Sequence, residues 1–286
     1  MTRIFLFILT NLAIMVLLTV ILTVFGVSSK SMTGMLIIAL VIGMGGSFLS
    51  LAISKWMAKR TMGLVVIENP TTPAEKWLMR TVQKQADQAG IGMPEVAIFD
   101  SPEMNAFATG MKRNDALVAV STGLLEQMDQ GEVEAVLAHE VSHIANGDMI
   151  TMALLQGVIN TFVILAARLI ASAISSALDP DGEGGEEGLG WIAHMVVVIV
   201  LEILLGFLAS IITMWFSRKR EFHADADAAK LVGNAKMIAA LERLQGDTEE
   251  SHLQGEMAAF GFAPKGSFMD LFASHPPLED RIAALR

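Results

Sequence analysis

Apolar residues in this chain follow two rhythms. Four stretches are almost continuously hydrophobic: Ile4 to Val27, Met35 to Ser54, Met149 to Leu178 and Gly190 to Phe216. Each is long enough to cross a bilayer as a helix, which needs about 20 residues. Between and after them the pattern breaks into short elements. GLVVI (Gly63 to Ile67), EVAIF (Glu95 to Phe99) and ALVAV (Ala116 to Val120) read as short strands. Thr72-Pro73-Ala74-Glu75 is a capping box with proline at the first helical position, and predicts a helix to Ala89 with Gly90 as its stop. Asp129 and Glu132 form a second box, opening a helix that lasts to Asn146 and Gly147.

The two rhythms divide the chain into four segments. Residues 1–60 form an N-terminal transmembrane hairpin, 61–148 the first part of a water-facing domain, 149–216 a second hydrophobic hairpin and 217–286 the second part of that domain. The two polar parts must pack together. Their order of helix, strands, helix and then mostly helix is an α+β pattern. The first apolar stretch is too long for the core of a secretion signal and lacks a small-residue cleavage site, so it is expected to stay as an anchor.

Composition agrees with the spans: 53% of residues are hydrophobic, 17% are charged and the mean hydropathy is +0.53, too apolar for an ordinary soluble domain. Charge sets the orientation. Arg3, Lys55, Lys59, Arg60, Arg218, Lys219 and Arg220 flank the spans on one side, against Lys30 and a Gly-rich loop of five acids (Asp179, Asp181, Glu183, Glu186, Glu187) on the other. Since basic flanks stay cytoplasmic, both termini and the polar segments are expected in the cytoplasm. A net charge of -10 argues against a nucleic-acid partner. With no cysteine there is no disulfide, no thiol nucleophile and no thiolate metal site, which leaves His, Asp and Glu for any metal.

The second predicted helix carries His139-Glu140-Val141-Ser142-His143. Histidines four apart share a helical face, so both imidazoles can hold one Zn²⁺ while Glu140 reaches a water on it. Val133, Val136, Leu137, Val141 and Ile144 form one apolar stripe; Glu140 falls inside it and both histidines at its margin. A buried carboxylate needs a compensating partner, and a metal site is one. An incidental surface helix would put Glu140 on the polar side instead. Catalytic zinc wants a third protein ligand. In SRKREFHADADAAK, Glu221 and Asp225 are four apart and can serve as third ligand and as acceptor for a ligand histidine's N–H, although acids also suit the solvated start of a helix. His223, turned about 200° from Glu221, is not expected to bind. His194 and His252 have no motif around them.

HEVSH, a hydrophobic hairpin and then EFHAD, with MNAFATG (Met104 to Gly110) and SHPPLEDRI (Ser274 to Ile282), resemble the M48 family of zinc metallopeptidases over nearly the whole chain. The resemblance implies a multi-span α-helical membrane protein carrying a cytoplasmic zincin-like (HExxH) metallopeptidase domain in the bacterial inner membrane. It implies one Zn²⁺ per chain on His139, His143 and Glu221, Glu140 as catalytic carboxylate, Asp225 as support for a ligand, and a role in stress-linked quality control of misfolded membrane proteins. His275 and Arg281 can donate to a tetrahedral oxyanion, or else cap the terminal segment. An extended substrate can add to an exposed strand, with Asn105 to Thr109 or Ala116 to Val120 as template. Two other readings are a protease cutting inside the bilayer, which the acids around HEVSH oppose, and a membrane chaperone or scaffold with structural zinc, which lacks an evident fourth ligand. Finally, Arg168 and Glu202 fall at matching depth in the third and fourth spans, predicting an interhelical ion pair.

Overall fold

The computed structural model describes residues 32–178, 191–254 and 275–286. The first apolar stretch, Ile4 to Val27, and the acidic loop lie outside the described residues. Helix α1 (Met32–Leu40) passes through a π-helical turn (Val41–Gly45) into α2 (Gly46–Thr61). Strand β1 (Val65–Val66), α3 (Pro73–Ala89), β2 (Glu95–Phe99), β3 (Ala106–Lys112) and β4 (Asp115–Ser121) follow. Then come α4 (Thr122–Gln127), α5 (Gln130–Asn146), α6 (Asp148–Leu178), α7 (Trp191–Val232), α8 (Asn234–Gln254) and α9 (Leu278–Leu285). Among the described residues three helical stretches are long and apolar enough to cross a membrane: Met32–Thr61, Asp148–Ala177 and Ala193–Val232.

Both capping boxes form. The Thr72 hydroxyl accepts from the Glu75 N–H and the Asp129 carboxylate from the Glu132 N–H, while Gly90 and Gly147 close the two helices in the left-handed conformation. The sheet order is β1-β2-β4-β3. β2 and β4 are parallel, and the chain between them runs out to the far edge as β3, which returns to β4 as an antiparallel hairpin. β4 is therefore interior and buried from Ala116 to Ser121, as its unbroken apolar run requires. Of β3 the sequence pattern offers only Asn105 to Thr109, as one of two template strands, and not its far end. Its AFATGMK mixes polar and small residues, and it bulges between Thr109 and Lys112 around Gly110, whose φ is +131°.

The chain forms two compact units. One consists of Leu51–Thr151 and the described part of Met214–Arg286. Its main core joins Leu78 and Val82 of α3, Val118 and Val120 of β4, Leu137 and Val141 of α5, Leu241 of α8 and Ile282 of α9, so the two polar segments do share one interior. A smaller cluster on the other face of the sheet holds Ala97, Phe99, Leu117 and Ala119. At the end of α2, Lys55 and Lys59 pair with Glu95, and Lys55 also with Asp115.

The other unit consists of Met152–Thr213 with the described residues up to Ser50. Polar side chains meet between α6 and α7 at Gln156 with Thr213 (3.4 Å) and Ser175 with His194 (3.0 Å), an antiparallel register that brings Arg168 level with Glu202. Their charges act on each other, but among the described residues no ion pair joins them, contrary to expectation; Arg168 Nε and Glu202 Oε1 are buried without a hydrogen-bond partner. Depth alone brings two side chains level; contact also needs both to point along the same line.

Candidate metal centre

Helix α5 brings the two histidines together on its last turns. Their rings stand at 90°, with centroids 4.6 Å apart and the Nε2 atoms 3.0 Å apart. Glu221 on α7 completes a cluster, its Oε1 3.3 Å from His143 Nε2 and its Oε2 3.6 Å from His139 Nε2. Tetrahedral zinc with bonds of about 2.0–2.1 Å holds neighbouring ligand atoms about 3.3 Å apart. The donor set, two imidazoles and a carboxylate, fits such an ion in both chemistry and spacing.

The remaining ring nitrogens are also committed. His143 Nδ1 hydrogen-bonds to Asp148 Oδ2 at 2.6 Å, and His139 Nδ1 lies 2.9 Å from Asp225 Oδ1, an ion-pair contact without hydrogen-bond geometry. A histidine that gives its Nδ1–H to a carboxylate leaves the Nε2 lone pair for a metal. Asp225 is 1% exposed and Asp148 5%, so each needs its own compensation. The Arg281 guanidinium donates twice to Asp225, at 2.7 Å each, and Arg220 pairs with Asp148. Burial opposes protonation of both histidines. The carboxylates of Asp225 and Glu221 outweigh it at His139, and those of Glu221 and Glu140 at His143, so both metal-free histidines titrate above the usual histidine value.

The structure shifts the expected phase of α5. The apolar stripe predicts Glu140 inside and the histidines at its margin, yet His139 is 8% exposed and Glu140 only half-buried. The cause is tertiary: α3, β3, β4 and α8 all pack on α5, so its apolar coat is much wider than a single stripe.

Arg281, expected from sequence as either an oxyanion donor or a cap of the terminal segment, is 6% exposed and clamped on Asp225, with a further nitrogen 3.4 Å from Glu221. His275 Nδ1 is 2.8 Å from Glu221 Oε2. Asn105 sits at the entry to β3, its carbonyl accepting from the Ser121 N–H (2.9 Å) and its own N–H donating to the Ser121 hydroxyl (3.0 Å). His223 is exposed and bonds to the Lys219 carbonyl; His194 meets Ser175; the side chain of His252 lies outside the described residues. Asp148 and Arg220 were missed as members of the site. Their signal was a carboxylate five residues after His143, just past the Gly147 stop, and a cation beside Glu221.

A model of peptidase family M48 matches residues 73–286. The chain belongs to peptidase family M48. M48 relatives named Protease HtpX match it end to end. That of Stenotrophomonas maltophilia (strain R551-3) is 58% identical over all of this chain and 98% of its own. That of Shewanella oneidensis (strain ATCC 700550) is 57% identical over all of this chain and 99% of its own. That of Aliivibrio fischeri (strain ATCC 700601 / ES114) is 58% identical over the same shares. The crystal structure of S. mikatae Ste24p has the same fold, with a TM-score of 0.68 and 19% identity over 96% of this chain, which spans 62% of that one. M48 membership makes the chain a membrane metalloendopeptidase of the zinc-dependent class, a hydrolase of mixed helical and sheet fold with its HExxH at residues 139–143.

Proposed function

We propose that His139, His143 and Glu221 hold a single Zn²⁺ and that Glu140 is the general base of peptide hydrolysis. The observation that carries this is the convergence of three side chains, the two Nε2 atoms 3.0 Å apart and the two Glu221 oxygens 3.3 and 3.6 Å from them, with a buried carboxylate beside each distal histidine nitrogen. Zinc, when bound, supplies a Lewis acid that polarises the scissile carbonyl and lowers the pKa of a water to about 7. Glu140 would take the proton of the attacking water and deliver it to the leaving amine, so no covalent intermediate on the protein is needed. Asp225 and Asp148 keep the two imidazoles in the tautomer that presents Nε2. His275 is a further donor at the rim of the site, and Arg281 holds Asp225 in place.

The edge strand supports a mode of substrate binding. β3 packs beside α5 and ends the sheet, so an extended chain can pair with Ala106 to Thr109 before the bulge breaks the ladder, with Asn105 at the entry. Ala116–Val120, the other template considered, is paired on both sides and is not available.

We read residues 61–148 and 217–286 as the peptidase part and 1–60 and 149–216 as membrane hairpins. The basic flanks of the spans support a cytoplasmic peptidase part and cytoplasmic termini in a bacterial inner membrane. The membrane-spanning helices of a chain whose relatives are named proteases support polypeptide or membrane-protein substrates, and we read its role as the removal of misfolded membrane proteins. A structural metal in a chaperone would need a closed set of four protein donors; the candidate cluster among the described residues has three. The deciding test is metal analysis of detergent-purified protein together with cleavage of an unfolded substrate. One zinc per chain and chelator-sensitive cleavage are expected; cleavage indifferent to a chelator would overturn the reading.

A further inference from the structure

The two ligand histidines have matching supports. His139 leads to Asp225 and then Arg281; His143 leads to Asp148 and then Arg220. The two relays come from different parts of the chain. Asp225 is on α7 and its arginine on α9, whereas Asp148 opens α6 directly after the Gly147 stop and its arginine is on α7, next to Glu221.

We propose that Asp148 and Arg220 are positioning residues for the metal centre: a second Arg–Asp–His relay that orients His143 as the Asp225–Arg281 pair orients His139. The inference rests on the reading that His139, His143 and Glu221 hold a metal. Three observations carry it. Asp148 Oδ2 stands 2.6 Å from the one His143 nitrogen that does not face the donor cluster. Asp148 is 5% exposed, and a carboxylate so far from water keeps its charge only with a cation in contact. Arg220 provides that cation, and its own placement follows from Glu221, one residue on. Helix α7 thus contributes adjacent residues to the same histidine from opposite sides, Glu221 at Nε2 and, through Asp148, Arg220 at Nδ1. His143 cannot rotate without breaking one contact or the other.

The test measures zinc affinity of the full-length, detergent-solubilised protein by competition with a chelator, and the visible spectrum of the cobalt-substituted protein. Asp148→Ala should weaken zinc binding by about 10- to 100-fold and alter the cobalt bands. Asp148→Asn, which keeps an acceptor of the same shape, should recover part of that loss. Arg220→Gln should weaken binding less than Asp148→Ala, should be rescued in part by Arg220→Lys, and should have no further effect once Asp148 is alanine, because it acts only through that carboxylate. Wild-type affinity and an unchanged cobalt spectrum in Asp148→Ala would overturn the proposal. So would an Arg220→Gln loss that persists in full in the Asp148→Ala background, since Arg220 would then act through Glu221 or the fold. Absence of bound metal in the wild type would refute the metal-centre reading instead.

Discussion

At the level of single residues, Glu140 and the acids of α7 have separable duties. Glu140 has none of the close donor contacts of the cluster, so Glu140→Gln should load zinc as the wild type does and lose on the order of 10²-fold or more in cleavage rate. Zinc content and turnover of an unfolded substrate, measured on the same sample, check both halves of that statement. Glu221→Ala removes a donor atom and should abolish stoichiometric zinc, whereas Asp225→Ala only frees His139 to rotate and should weaken affinity by about 10- to 100-fold. Chelator competition distinguishes them; equal and small losses would mean that α7 contributes no ligand. The motif residues were legible because histidines four apart and acids four apart each share a helical face. Asp148 and Arg220 were not, because their roles arise where the end of α5 and the start of α6 meet the middle of α7, and no sequence period marks such a meeting.

Among the elements, two glycines are required for different physical reasons, and alanine exposes the difference. Gly147 closes α5 and turns the chain into α6 at φ +67°, with open space where a Cβ would stand. Gly147→Ala should cost about 1–2 kcal/mol, the left-handed penalty alone, with no change in packing. Gly43 has no positive φ, but a Cβ there would collide with the Thr161 hydroxyl, which a substitution can remove, and stand 2.5 Å from the Thr161 N and 2.8 Å from its Cα, which cannot step aside. Gly43→Ala should therefore cost about 1–3 kcal/mol through overpacking and force the two helices apart. Thermal unfolding in detergent measures both. A relieving second change, Thr161→Gly, should recover some stability in the Gly43 variant and none in the Gly147 variant. The helix boundaries around Gly90 and Gly147 could be read from sequence because a cap is a local event of four residues. Strand β3 could be read only as a candidate template over Asn105 to Thr109, because a bulged edge strand has no alternation to read and its extent is set by its partner.

For the molecule as a whole, metal and protons compete for the same nitrogens. Both histidines titrate above the ordinary value near 6.5 in the metal-free protein because carboxylates face them. A raised folded value means that their stabilising contribution is complete below about pH 6.5 and is lost as pH rises through the folded values. Metal-free protein should therefore unfold at a lower temperature at about pH 8.5 than at about pH 6. With saturating zinc the histidine contribution reverses, since binding displaces those protons and strengthens as they leave. Melting curves at both pH values, with zinc and with chelator, test this; parallel pH trends in the two states would contradict the coupling.

By itself the sequence determined what depends on neighbours a few positions apart: the apolar spans, both capped helices, the HExxH face and the acidic pair of α7. It also required that the segments on either side of the second hairpin share an interior, because neither carries enough apolar surface alone. Only the tertiary structure decided which face of α5 is buried, which strand ends the sheet, and that Arg281 grips Asp225. It also decided that Arg168 and Glu202 stand level without pairing. Each of these outcomes depends on elements far apart in the chain meeting at ångström precision. Local periodicity places a side chain on a face of its element, and what that face meets is settled by packing.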